Sequence, residues 1–509
     1  MLIPPPIPSS LSLPSTVQDI RGHATQLSDA NSFRATMRSQ LKVAHKLGVH
    51  NADWSACVKR AMWGQPQRQR ETTVLMRCCT IPARQATTDY LPYLYAILAC
   101  IEADDLLLKA DPVFTWRMTL STQSLKKSNQ RVALPSYHYE LASTLLCHAL
   151  CLSNNSASLV ASLGSYELSN TLSKTDLNRH DQVIQKAADM LCRAAGLLAH
   201  LSEVVIPRWE IAVGLDNLSK SRPVELTKEV TMGLAKLCEA DANLLAIRRL
   251  LSRSLSVAHS TTTPGPPLSS THPSPSLLAK LHLHVYQLYD TARSLIKAPN
   301  NSSGEVSQAL RTYLSQGRAL ALALSWKWLG VDCGESGGRE RCGDAVGWLG
   351  MSRKELEEIQ SVNKSLRGVI KRGKEGGKVR KGKVGEEVES VARFLNAYKK
   401  VNDSVSSVPE QDPGQVGVHF MPVPSPSTLQ LRVPAGRAAL SAKVFTPPSP
   451  AFKSRSAYNG PMDVPPPPRA LEMELGELGI GTGGGAVSSD EDGDGEGTEG
   501  DYFGAGQYF

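Results

Sequence analysis

The residues best suited to chemistry in this chain are two small groups of cysteines and histidines. Cys147, His148 and Cys151 fall within five positions, and a single residue separates His282 from His284. Zinc sites use four such ligands, usually as two closely spaced pairs. The cysteines lie in a leucine-rich run, where cysteine more often packs as a small apolar residue, and no second pair completes the spacing. We therefore expect neither a metal nor any other cofactor.

Catalytic motifs are absent from the rest of the sequence. Cys333 and Cys342 flank a glycine-rich turn without the Cys-x-x-Cys spacing of redox sites. The glycine runs at 481–485 and 493–500 lack the Lys-Ser/Thr that follows a phosphate-binding loop. No serine elbow or His-Glu-x-x-His run occurs. The sequence thus predicts a protein that works through a binding surface and not as an enzyme.

The charge is uneven. Its net value is +8, and a glycine-broken segment concentrates much of the basic charge. These residues are Lys371, Arg372, Lys374, Lys378, Arg380, Lys381 and Lys383. Such a cluster can bind a phosphate backbone or an anionic membrane surface, although no aromatic residue is present to stack on bases. The alternative interpretation is a solvated loop between helices.

Apolar periodicity predicts the elements that would position any site. Leucines and isoleucines from Leu91 to Leu107, from Ala187 to Val205 and from Leu226 to Leu251 recur every three or four residues, which is typical of amphipathic helices. Pro207 is expected to end the second helix. Ser352 followed by Glu355 predicts an N-terminal capping box. Further helices are predicted over 277–297, 306–329, 351–370 and 386–400.

The predicted architecture is all-α, with minor strands near the N-terminus and at Val418–Val423. Residues 1–425 form one helical domain with loop insertions at 261–276 and 373–385, where proline or glycine interrupts helix. Residues 426–509 are rich in proline, glycine and acidic residues, which predicts a disordered tail.

The composition also indicates a compartment. The N-terminus MLIPPPIPSSLSLP has no basic region before its apolar residues, and its prolines interrupt them, so it does not resemble a secretory signal. No segment reaches the roughly 18 uninterrupted apolar residues of a membrane span. The cysteines lie mostly in apolar helical patterns, as reduced buried cysteines do, which indicates a reducing compartment. We therefore expect a soluble cytoplasmic protein.

Several passages together resemble a known family. They are Tyr139–Leu146, Ala187–Gly196, Arg222–Leu226 leading to Leu237–Ala242, Trp328–Glu335 with Gly343–Leu349, Val401–Asp403 and Val418–Pro424. In order and spacing, from about residue 90 to 425, they resemble BRO-one domains, the boomerang-shaped domains of Alix-like adaptors with TPR-like helix pairs. The passage Trp328–Glu335 with Gly343–Leu349 and the closing segments after it resemble the PalC branch, the fungal pH-response regulators. No fixed repeat of about 34 residues is present.

The resemblance implies an adaptor of ambient (alkaline) pH signalling that binds the C-terminal helix of the polymer-forming ESCRT-III subunit. It implies recruitment with other pathway components to the cell cortex or endosomal membranes, upstream of proteolytic activation of a transcription factor. Carried over by position, the partner-binding residues are Leu198, Leu234, Lys236 and Leu237. The three leucines also fit core stripes, whereas an unpaired lysine is rarely buried. The alternative function is a scaffold that binds anionic membrane or nucleic acid through Lys371–Lys383.

The tail suggests further partners. Thr446–Pro450 and Pro465–Pro468 are proline-rich, and such segments bind SH3-like or WW-like modules as extended ligands. The alternative, which composition favours, is a plain disordered spacer. The aromatic residues of Tyr502–Phe509 are a candidate docking motif.

Overall fold

A computed structural model describes most of the chain. The described residues are 3–50, 66–109, 111–122, 131–163, 173–214, 218, 221–258, 265–297, 305–369, 376–405 and 421–455. Residues Met1–Ser456 form one compact unit. The terminal aromatic motif and the polyproline run at 465–468 lie outside the described residues.

Helices make up most of this unit. In chain order they are α1 (Ala24–His50), α2 (Pro66–Glu102), α3 (Tyr137–Leu163), α4 (Lys174–His200), α5 (Ile206–Val213), α6 (Lys228–Ala258), α7 (Pro275–Lys297), α8 (Gln308–Ser336), α9 (Cys342–Val369), α10 (Gly376–Val405) and α11 (Pro426–Gln430). From α1 to α4 and from α6 to α10 each long helix packs on the next, and α4 packs on α6. The prediction of an all-α fold is confirmed.

Short strands accompany the first helices. A three-stranded antiparallel sheet joins β1 (Ile7–Pro8), β4 (Val113–Arg117) and β6 (Arg131–Pro135), in which Thr115 pairs with Ala133. Two further antiparallel pairs join β2 (Val17–Asp19) to β3 (Leu106–Leu108) and β5 (Ser121–Thr122) to β7 (Glu305–Val306). The strands expected near the N-terminus are therefore present. Residues 421–423, the described part of the second expected strand, are irregular.

Buried carboxylates tie the sheet to the helices. Glu140 on α3 accepts hydrogen bonds from Arg34 Nε (2.7 Å) and Trp116 Nε1 (2.7 Å). Glu225 accepts backbone N–H bonds from Leu120 (3.0 Å) and Ser121 (2.8 Å). Burial raises the pKa of Glu225, and these hydrogen bonds to its carboxylate oppose that shift. Both groups are fully buried with partners, as buried polar groups require.

Three local predictions are wrong in instructive ways. Pro207 does not end the helical run, because it occupies the first turn of α5, where a missing N–H costs little, after a π-helical turn at Leu201–Val205. Ser352 lies inside α9 and donates to the carbonyl of Ala323 (2.7 Å), so it joins two helices instead of capping one. The expected insertion at 373–385 is largely helical, since α10 begins at Gly376. Within the other, residues 265–274 are non-helical as predicted.

The predicted domain boundary at 425 lies too early. Residues 421–455, which we term the C-terminal strap, run over the helices and contact them along their length. Leu429 on α11 is fully buried. Composition alone predicted disorder here because the segment is poor in large apolar residues. Backbone hydrogen bonds to the helices help to hold it in place.

One helical run, Thr175–Val213, has the length and composition of a membrane span, and 61% of its most apolar window is buried inside the protein. Most of that run is α4, which packs between α3 and α6. Its apolar side chains are thus those of a core helix.

Candidate partner-binding surface

The three predicted partner-binding leucines belong to the core. Leu198 on α4 is 1% exposed, and Leu234 and Leu237 on α6 are 1% and 3% exposed. Their recurrence on apolar stripes reflects packing between helices, which is the usual reason for such stripes. In this structure the three leucines therefore occupy the core alternative, and their role in partner binding stays a prediction.

Lys236 lies at the surface, as expected. Its side chain is 35% exposed, and its Nζ lies 3.0 Å from Glu239 Oε2. Seven residues, or about two helical turns, separate Lys236 from Asn243, so both side chains share one face of α6. Leu234 lies nine residues before Asn243, which places it on the opposite face. Of the four predicted residues, only Lys236 is partly exposed in this structure.

The strap runs along this same face, across helices that are distant in sequence. Arg437 N donates to the carbonyl of Lys280 on α7 (3.0 Å), and Lys443 N donates to that of Cys192 on α4 (3.0 Å). Ala451 N reaches the carbonyl of Pro92 on α2 (3.0 Å). Nearer its start, Arg432 Nη1 lies 3.2 Å from Asp344 on α9. The strap therefore passes over α9, α7, α6, α4 and α2 in turn.

Asn243 holds the middle of the strap. Its Oδ1 accepts from the backbone N–H groups of Ala439 (2.9 Å) and Leu440 (3.0 Å), and its Nδ2 donates to the carbonyl of Leu440 (3.0 Å). Nδ2 also donates to the carbonyl of Glu239 within α6 (2.9 Å), which fixes the amide orientation. The side chain is 1% exposed. A buried amide with all these bonds made is a built site for an extended peptide backbone.

Two glycines let backbones come close at this face. A Cβ placed on Gly196 of α4 would lie 2.6 Å from the carbonyl carbon of Lys443, a distance that real Cβ atoms do not adopt. Gly436 of the strap also packs closely on α7, where a Cβ would lie 2.8 Å from His284 N. The ammonium of Lys443 forms an ion pair with Asp189 on the same face of α4. The absence of a side chain at Gly196 is thus required for strap binding.

Apolar strap side chains cover part of the core without being enclosed by it. The half-buried ones that pack against the core are Val433, Ala439, Leu440, Ala442, Phe445 and Phe452. The Phe445 ring lies 5.1 Å from His200, and the Phe452 ring lies 5.3 Å from His23. Leu431 and Val444 instead face solvent, with 88% and 93% of their surface exposed. The strap therefore rests on the surface of the domain.

The far end of the strap meets a buried carboxylate. Asp105 Oδ2 accepts from Ser454 Oγ (2.8 Å) and Arg455 N (2.5 Å), and it lies 3.4 Å from His23 Nε2. His23, Cys100 and Asp105 place one potential metal-ligand atom each within 4.8 Å of one another. Burial raises the pKa of Cys100 to about 11, so the thiol is protonated near neutral pH. A structural zinc site uses four ligands, and this group has three, of which Asp105 already binds the strap. The group is therefore better described as an anchor for the end of the strap.

The cysteines and histidines first considered for zinc do not meet as a group in the described part of the chain. Cys147 and Cys151 are buried on α3, and burial raises the pKa of Cys147. His148 Nδ1 lies 2.8 Å from Thr87 Oγ1, and burial lowers its pKa to about 4. Burial also lowers the pKa of His282 to about 4. These residues fill the interior between helices.

The basic cluster divides into two parts. Lys378, Arg380, Lys381 and Lys383 lie in the first turns of α10, not in a loop. Lys371, Arg372 and Lys374 lie outside the described residues, as do the side-chain positions of the whole cluster. Its role as an anionic-surface contact stays a prediction.

Sequence reasoning missed Asn243, Gly196 and Asp105. Asn243 carries a weak signal, since a buried asparagine within an amphipathic helix needs polar partners from elsewhere. Gly196 ends one of the passages that resemble BRO-one domains, and its contact with Lys443 depends on a segment almost 250 residues away. Asp105 follows α2 in a turn with nothing in the local sequence to distinguish it.

Comparison with known proteins places this geometry in a family. A model of the BRO1-like domain matches residues 58–431. The pH-response regulator protein palC of Cryptococcus neoformans var. neoformans serotype D (strain B-3501A) is 35% identical over 406 residues, which cover 71% of this chain and 80% of that protein.

One solved structure shows the same fold. The BRO1 domain of ALIX in its CHMP4C complex aligns with a TM-score of 0.50 at 16% identity, over 90% of this chain and 99% of that one. ALIX in complex with the SIVmac239 PYKEVTEDL late domain aligns with a TM-score of 0.49 at 15% identity, over 90% of this chain. This chain spans half the length of that ALIX chain. The protein belongs to the BRO1-like domain family, and within it is similar to the palC-type pH-response regulators.

Proposed function

We propose that this protein is a non-catalytic adaptor of ambient-pH signalling whose BRO1-like domain binds the polymer-forming ESCRT-III subunit. Its similarity to a pH-response regulator over most of the chain carries the proposal. The BRO1 domain of ALIX, which shares this fold, was solved in a complex with CHMP4C. In the same proposal, the protein is cytoplasmic, joins other pH-signalling components at endosomal membranes or the cell cortex, and acts upstream of proteolytic activation of a transcription factor.

The proposed contact is the face of α6 that carries Lys236. An amphipathic helix is bound when apolar groups line a groove and a charged side chain fixes orientation. Lys236 is half-exposed on this face, and its ion pair with Glu239 is a surface pair of small energy that a partner carboxylate can replace. The buried leucines Leu198, Leu234 and Leu237 support this face from within the core.

The test uses the full-length protein and a fluorescent peptide of the subunit's C-terminal helix. We expect measurable binding that Lys236→Glu weakens at least about fivefold, because a charge reversal places like charges together. Lys42→Glu is the matched control, since Lys42 is an exposed lysine on α1. Equal affinity of both variants and wild type would exclude Lys236 from the contact.

Salt dependence separates this function from the anionic scaffold. An apolar groove with one charge pair loses little affinity between 50 and 200 mM salt, whereas a site that contacts several phosphates loses orders of magnitude over that range. Two separate probes test the basic cluster. One is a vesicle that contains phosphatidylserine, and the other is a DNA duplex. SH3-like or WW-like modules are additional proposed partners, which would bind the proline-rich tail.

A further inference from the structure

We propose that the C-terminal strap is a displaceable internal ligand that competes with the partner helix for the face formed by α4, α6 and α7. This inference rests on the proposed function, because the competitor is the partner of that proposal. It adds an autoinhibited state: with the strap in place, the Lys236 face is covered, and release of the strap opens it.

The first step is that this face is built to hold a peptide. Asn243 bonds to both the donor and acceptor groups of the strap backbone. Gly196 leaves room for the carbonyl of Lys443, and Gly436 lets the strap lie directly on α7. These features act together on one stretch of about eight residues, 436–443. Chance contact of a polar tail would not require a buried amide and two close backbone approaches.

The second step is that the strap is held lightly. Among its described residues only Leu429 is fully buried, and that residue lies on α11 near the start. From Val433 onwards the apolar side chains are half-buried, and Val444 is exposed. A segment stays bound when its apolar side chains are fully buried, because their surface is then removed from water. The stretch from 433 to 455 lacks that contribution and can detach without unfolding the domain.

The third step is that the strap and a partner helix exclude each other. Ala439 and Leu440 sit on Asn243, about two turns along α6 from Lys236. A helix with its side chains is about 10 Å across, so it cannot bind this face beside the strap. Detachment uncovers the core surface now covered by Leu440, Ala442 and Phe445. The result is an apolar groove next to a lysine, which is the chemistry that an acidic amphipathic helix recognises.

The experiment loosens the strap in the full-length protein. Gly196→Ala adds a methyl group where the Lys443 carbonyl lies, and Asn243→Ala removes three hydrogen bonds to the strap. Gly350→Ala on α9 is the matched control, because a Cβ there meets no atom within 4 Å. Hydrogen exchange of 437–446 reports release, and titration with the ESCRT-III helix peptide reports the open face.

We expect faster exchange over 437–446 and a rise of at least about fivefold in peptide affinity for Gly196→Ala and Asn243→Ala, with neither change in Gly350→Ala. Affinity rises because it scales with the fraction of molecules in the open state. Faster exchange with unchanged affinity would overturn competition while leaving the adaptor function intact. Unchanged exchange in Gly196→Ala would overturn the inference at its first step. If exchange shows that the strap is released and still no variant binds the peptide, the adaptor function itself is refuted.

Discussion

Two extended segments cross the helices of this domain, and both are held by an asparagine. Near the N-terminus, Asn154 Nδ2 donates to the carbonyl of Ile3 (2.8 Å) and Oδ1 accepts from Ile3 N (3.2 Å). In the strap, Asn243 makes the equivalent bonds to Leu440. Both asparagines are 1% exposed. The asparagine contacts of the two segments are thus nearly the same.

Their apolar contacts differ. The N-terminal segment, residues 3–19, buries Ile3, Ile7, Leu13 and Val17, whereas residues 433–455 of the strap bury none of their apolar side chains fully. A net hydrogen bond contributes about 1 kcal/mol, and burying one Leu or Ile contributes about 1.5–3 kcal/mol. Hydrogen bonds therefore set where each segment lies, and apolar burial decides whether it stays.

The largest expected effect removes the charge that anchors the N-terminal segment. Arg34 donates to the carbonyl of Ser9 (2.8 Å) and to Glu140 (2.7 Å). Arg34→Ala leaves a buried carboxylate without its cation and should cost about 3–5 kcal/mol in unfolding free energy. Arg38→Ala, which removes a longer bond to the Pro8 carbonyl (3.2 Å), should cost under about 1 kcal/mol. Similar urea midpoints for both variants would contradict the importance of the buried pair.

Paired truncations compare the two segments directly. Leu13 is fully buried, and Leu13→Ala should lower the unfolding free energy by about 2–5 kcal/mol. Leu440 is half-buried in the strap, and Leu440→Ala should change the global value by less than about 1 kcal/mol because little buried surface is lost. Chemical denaturation measures both. A loss as large for Leu440 as for Leu13 would mean that the strap is an integral part of the core.

Acid should weaken the helical body under both segments. Burial lowers the pKa of His148 and His282 to about 4, below their unfolded value of about 6.5. Their neutral forms are favoured in the fold, so stability is complete above pH 6.5 and falls as pH drops towards 4. The expected loss between pH 7.5 and pH 5 is about 2 kcal/mol per histidine.

The measurement is the urea midpoint of the wild type and of His282→Gln at those two pH values. The variant should show a smaller difference between them, because one group that titrates only on unfolding is gone. An unchanged difference would place the acid sensitivity elsewhere. Comparisons of the two segments should accordingly be made at pH 7.5.

The smallest effect concerns the end of the strap. Ser454→Ala removes one hydrogen bond to Asp105, and Arg455 N keeps its own bond to the same oxygen. We expect faster amide exchange at 451–455 and a change in global stability below about 1 kcal/mol. Thermal melting is the control readout. A large drop in melting temperature would show that this end supports the whole domain.

The sequence predicted the helices well and the surface poorly. The stripe from Ala187 to Val205 indicated helix because burial of one face repeats every three to four residues, and that pattern is local. The resemblance carried over by position made Leu198 a candidate surface anchor, whereas the stripe itself fitted the core position that the structure shows. Strap docking depends on Gly196 and Asn243 meeting backbone groups some 200 or more residues away, so no local pattern reports it. The partial exposure of Lys236 was predicted because a charged lysine is rarely buried.

The clamp at Asn243 has an evolutionary consequence. The Asn243 side chain bonds only to main-chain N–H and C=O groups of the strap, which almost every residue supplies. Mutations in strap side chains therefore alter the affinity of the strap for the helices without shifting its register. Substitutions at Leu440 or Ala442 can therefore retune the fraction of active molecules gradually, one step at a time. A mutation at Gly196 has no such graded range. Diversity among related chains should then be broad along the strap and narrow at the two helix positions beneath it.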